Sequence, residues 1–115
     1  MSIERHESGP RMSQAVVHGG TVYLAGQVAD GASVAAQTRG VLAKIDALLA
    51  TVGSDRSRLL SATIWLCSMD DFAEMNGVWD AWVDADAPPA RACVESPRLA
   101  SADFRVEIMV IAATS

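Results

Sequence analysis

Two cysteines, two histidines and few basic residues leave this sequence short of the materials for several kinds of chemistry. Cys67 and Cys93 stand apart, without CxxC spacing or a histidine cluster beside them, and read as reduced, partly buried thiols. His6 and His18 are too far apart to form a helical ligand pair, so neither a metal site nor a metal or organic cofactor is expected. Lys and Arg number 9 against 14 Asp and Glu, a net charge of -5. No basic stripe interrupts that balance, which argues against nucleic acid as a partner. No apolar run approaches the ~20 residues of a membrane span. The opening MSIERHESGP carries charges where a signal peptide has its apolar segment, so the expectation is a cytoplasmic protein without a membrane partner.

Half of the 115 residues are apolar and 20% are charged, which suits one globular domain spanning residues 1–115. Residues 13–28, SQAVVHGGTVYLAGQV, alternate β-branched and polar types around Gly19-Gly20, the pattern of a tight hairpin. From Ser33 the period lengthens. Val34, Val41, Leu42, Ile45, Leu48, Leu49 and Val52 recur every three or four residues, and Gly53 stands where a left-handed helix cap would fall. The segment LLSATIWLCS predicts a strand with Leu60, Ala62, Ile64 and Leu66 on one face, and both of its faces look covered. Ser68 or Asp70 then caps a second helix whose stripe of Phe72, Met75, Trp79, Trp82 and Val83 stops before Pro88-Pro89. ARACVES and FRVEIMVIAA supply two last strands. The order ββαβαββ is α+β, one sheet with two helices on one face. In one register the other face carries Val22, Leu24, Thr63, Trp65, Cys93, Glu107 and Met109, too apolar a set for open solvent, and association of several copies is the expected remedy.

The segment PPARACVESPR places Arg91 inside an apolar strand. A guanidinium keeps its charge at ordinary pH, so its burial calls for a carboxylate of the protein or one that arrives with a ligand. Composition leaves both open.

Taken together, SQAVVHGGTVYLAGQV, the helix start at Gln37, DDFAEMNGVWDAW, PPARACVES and VEIMVIAA resemble the Rid, or YjgF, family of enamine/imine deaminases over nearly the whole chain. The resemblance implies a chorismate-mutase-like fold and a homotrimer whose sheets form a central barrel with clefts at the subunit interfaces. It also implies hydrolysis of a small carboxylate-bearing 2-imino or 2-enamino acid to a 2-oxo acid and ammonia. By position, Arg91 matches the arginine that grips the substrate carboxylate and Glu107 the carboxylate beside the hydrolytic water. Cys93 falls where the backbone assists with the substrate, and Asn76 matches an asparagine near the cleft. Met12 stands where the deaminases carry a tyrosine. Ala25-Gly26-Gln27 replaces their SGQ, which removes a hydroxyl.

An arginine fork matches a carboxylate at two points, which a lysine cannot do. A carboxylate near water can orient it and accept its proton. The competing reading of the same pair is a structural Arg91–Glu107 ion pair across neighbouring strands. Arg98 and Arg105 read as solvated charges, Arg11 as a second cleft cation or a surface charge, and Trp65, Trp79 and Trp82 as core or interface anchors. A metabolite-binding module or an interaction protein of the same fold remains the alternative to an enzyme.

Overall fold

The structure, a computed structural model describing residues 2–114, opens with a strand that the hydrophobic pattern does not signal. This is β1 (Glu4–Ser8), which pairs antiparallel with β2 (Ser13–His18) and makes the observed order βββαβαββ. Gly19 and Gly20, with φ of 62° and 81°, close the expected hairpin between β2 and β3 (Thr21–Leu24). Helix α1 (Val34–Thr51) starts where Ser33 Oγ accepts a hydrogen bond from the Ala36 N–H at 3.1 Å. It stops just before Gly53, whose φ is 75°. A 3-10 turn leads into β4 (Leu59–Leu66), and a second one, capped by Ser68, leads into α2 (Phe72–Trp82). Then come β5 (Ala90–Glu95) and β6 (Val106–Ala113).

The six strands lie in the order β1-β2-β3-β6-β4-β5. All neighbours are antiparallel except β4 and β5, a parallel pair made possible by the crossover through α2. Both helices cover one face of this mixed sheet. Their Val41, Leu42, Ile45, Leu49, Met75 and Trp79 are buried with Val22, Ile64, Leu66, Val106, Ile108 and Val110 of the strands. No helix among the described residues is long and apolar enough to cross a membrane.

The opposite face differs from expectation in composition. Thr63, Trp65, Glu107 and Met109 lie there, but Val22, Leu24 and Cys93 face the helices. Side chains alternate strictly along a strand, so cross-strand register decides the face: Val17 opposes Val22, Ala15 opposes Leu24, and Ile64 opposes Cys93. The open face instead gains Tyr23, Ile111 and Val94, leaving it apolar as predicted, although β4 is covered on one side only. An irregularity between Leu59 and Ser61 turns Leu60 outward, 50% exposed, and gives its core place to Leu59.

Candidate functional site

Arg91 lies on β5, an edge strand whose residues are mostly exposed, rather than in a buried strand. It opposes Ala62 and so faces the helices. Its Nη1 donates a 2.8 Å hydrogen bond to Asn76 Oδ1. The guanidinium carbon sits 5.4 Å from the ring centre of Trp79 and 5.9 Å from that of Phe72. These three partners occupy positions i, i+4 and i+7 of α2 and therefore share one side of the helix. Asn76 was named from sequence, whereas the ring contacts were not, because Phe72 and Trp79 read simply as parts of the apolar stripe. The telling signal was the polar Asn76 set between two aromatic residues at helical spacing. Among the described residues Arg91 forms no salt bridge. A cation held this way keeps its charge unneutralised, and the flanking rings and single amide contact restrict its orientation.

Cys93 follows Arg91 on the same face, half-buried against the core. Burial pushes its thiol above the ordinary value of 9.0, and the nearby Arg91 charge pulls the other way without winning.

Glu107 lies on the open face, where it opposes Trp65. Tyr23 pairs with Ile111 and Gln27 with Ile108, so Leu24, Ala25 and Gly26 oppose only Val110 and Met109. The extra residue is a β-bulge at Ala25-Gly26, a device that commonly re-aims side chains beside functional sites. Bonds on both sides hold it: the Ala25 N–H donates to Gln14 O at 2.9 Å, and Gln27 Nε2 donates to Gln14 Oε1 and Ala25 O, both at 2.9 Å. Gly26 is needed for close approach. A β-carbon there would stand 2.9 Å from Glu107 Cδ and closer still to one carboxylate oxygen.

Most of the site residues named from sequence thus fall into two groups, an arginine half and a glutamate half. Arg91, Asn76 and Cys93 are on the helix side of β5, while Glu107, Ala25 and Gly26 are on the open face, with β4 between the two strands. The Arg91–Glu107 ion pair is excluded by this geometry, since the two side chains leave opposite faces of the sheet. Met12 belongs to neither group. It sits 56% exposed between β1 and β2, beside Arg11 in a shallow hollow. Arg105 is not simply solvated, because its Nη2 contacts both carboxylate oxygens of Asp71 at 3.0 Å.

The sequence profile described as Endoribonuclease L-PSP matches residues 3–114. A RutC family protein of Haemophilus influenzae is 43% identical over 115 residues, covering 97% of this chain and 98% of that protein. The RutC family protein YoaB of Escherichia coli is 41% identical over 114 residues, with 98% and 99% covered. A crystal structure of a YjgF family member from Neisseria meningitidis matches with a TM-score of 0.97 at 50% identity, over 100% of this chain and 97% of that one. A member of the conserved Rid protein family from Yersinia pestis matches at 0.86 and 28%, over 92% and 90%. Full-length similarity in both sequence and fold places the chain in the YjgF/Rid family.

Proposed function

We propose that the protein hydrolyses reactive 2-imino and 2-enamino acids to 2-oxo acids and ammonia, in a site that two copies of the chain complete together. The observation that carries this reading is the state of Arg91: oriented by Asn76 and two rings, yet outside the salt bridges formed among the described residues. A substrate carboxylate supplies the missing partner through charge-assisted hydrogen bonds. Glu107 of a neighbouring copy then orients a water against the imine carbon. A 2-enamino acid first takes a proton at its 3-carbon and loses one from nitrogen to give the imine. The water's oxygen then bonds to the imine carbon while one of its protons passes by way of the carboxylate to the nitrogen. The hydroxyl proton of the resulting carbinolamine follows the same route as the C–N bond breaks, leaving the C=O of the 2-oxo acid and releasing ammonia. The 2-oxo acid remains on Arg91 until it dissociates.

The apolar open face supports assembly, proposed here as a homotrimer. Tyr23, Trp65, Met109, Ile111 and Val94 are costly to leave in water and suited to packing against the same face of another copy. The RNA-cleaving activity in the family's description finds less support, because the 14 acidic residues outnumber the 9 basic ones and a phosphate backbone favours the reverse.

The test is ammonia release from 2-imino acids generated in place by an amino-acid oxidase, with sedimentation on the same sample. Acceleration over buffer in a trimeric species is the expected result. Saturable binding of a 2-oxo acid with no acceleration would make the protein a carboxylate-binding module instead. A stable monomer that remained fully active would overturn the shared site.

A further inference from the structure

Along the seam between α1 and α2 runs a groove of about 390 Å³ that shares no lining residue with either half-site. Its walls are largely apolar, with Leu42 and Ala43 from α1 and Val78, Ala81 and Trp82 from α2. The volume falls within the range of about 300–1,000 Å³ usual for small-molecule sites.

The charged groups lining it are Arg39, Asp46 and Arg56. Asp46 is already engaged: its Oδ2 accepts from Arg56 Nη2 at 2.7 Å and from the Trp82 indole N–H at 3.0 Å. Arg56 is engaged as well, donating from Nη1 to Trp82 O at 2.9 Å and lying 4.9 Å from the Trp82 ring centre. Arg39 remains exposed and outside the salt bridges of the described residues. The groove therefore carries one uncompensated positive charge beside an apolar channel, on a chain whose net charge is -5.

Gly77 adds an independent observation. It occupies the interior of α2, where glycine is the poorest residue short of proline. Its backbone is not in the positive-φ region, and a β-carbon there would meet nothing within 4 Å. Neither conformation nor packing within the chain requires glycine at this position. Gly77 lines the groove, so its missing side chain leaves that part of the groove open.

We propose that this seam is a second ligand site, taking a small monocarboxylate with an apolar chain, the anion on Arg39 and the chain between the helices. Hexanoate is the probe, titrated into the isotope-labelled full-length protein, with the amides of Leu42, Val78 and Ala81 and the Trp82 indole N–H followed by NMR. Saturable shifts at these groups are expected, with acetate, which lacks the chain, and 1-hexanol, which lacks the charge, each at least about tenfold weaker. Arg39→Gln should weaken hexanoate about tenfold and leave hexanol unchanged. Gly77→Leu should abolish both while circular dichroism shows the helices retained. Arg91→Lys should change neither. Shifts confined to Asn76 and Cys93, absent from the seam and lost in Arg91→Lys, would assign the binding to the arginine half-site alone and overturn the proposal. So would hexanol binding as tightly as hexanoate, or an absence of saturable shifts.

Discussion

Replacing Gly26 by alanine separates the position of the Glu107 carboxylate from its presence. The backbone at Gly26 is not in the positive-φ region, so alanine is conformationally acceptable there. Its methyl carbon, however, would stand 2.9 Å from Glu107 Cδ and 3.2 Å from Cγ. Carbon atoms in ordinary contact are about 3.5–4.0 Å apart, so the carboxylate must retreat by roughly 1 Å. The clash falls on the free end of a flexible side chain, and stability should change by no more than about 1 kcal/mol, a shift in Tm of a few degrees. Catalysis should respond far more, because a misplacement of about 1 Å can cost on the order of 10²-fold. We therefore expect kcat for imine hydrolysis to fall about 10²-fold with KM nearly unchanged, since Arg91 on the other face is untouched. A double-mutant cycle with Glu107→Asp sharpens the test. The shorter acid relieves the overlap, so Gly26→Ala should do little further harm in that background, whereas independent effects would multiply. Undiminished kcat in a well-folded Gly26→Ala protein would show that the observed carboxylate position is not the working one.

Arg91→Lys keeps the charge but loses the two-point geometry, and carboxylate binding should weaken by about 2 kcal/mol or more with the assembly intact; unfolding with unchanged affinity, read by melting and calorimetry, would make Arg91 a structural residue. Met12 stands apart from both groups within one chain, so it can wall the pocket only in the proposed assembly. There its flexible apolar side chain should let imino acids from leucine or methionine be turned over at least as well as the one from serine, and Met12→Tyr should move the kcat/KM ratio toward the small substrate. A strong wild-type preference for the small one would remove Met12 from the pocket. Because burial favours the neutral Cys93 thiol in the folded chain, its contribution to stability is intact below the ordinary value of 9.0 and declines as the pH rises past it. Melting of Cys93→Ser should accordingly depend less on pH in the alkaline range than that of the wild type.

Where the sequence was legible, local chemistry decided the outcome. Gly19-Gly20, Ser33 and Gly53 mark turn and helix ends by demands that only a few residue types meet. β1 was invisible because ERHES is polar throughout and pairs through its backbone at the edge of the sheet. The faces were legible only up to a register slip of one residue, which is why Val22, Leu24 and Cys93 were assigned to the wrong side. The site was harder still to read. Neighbouring in the chain, β5 and β6 suggested an ion pair between Arg91 and Glu107, but β4 lies between them in space, and that placement is a property of topology that no local pattern encodes. The bulge at Ala25-Gly26 was hidden for a related reason, since it exists only relative to the spacing of β6.

The separation of Arg91 and Glu107 onto opposite faces of one sheet has a genetic consequence. Under the proposed assembly, each working centre draws its arginine from one polypeptide and its glutamate from another. Two alleles that are each inactive, Arg91→Lys and Glu107→Gln, should then complement when co-expressed, because a mixed oligomer contains centres in which an intact arginine meets an intact glutamate. Random mixing in equal amounts would restore roughly a quarter of the centres. Two mutations in one gene would then complement as though they lay in two, and one gene product would behave, in a cross, like two.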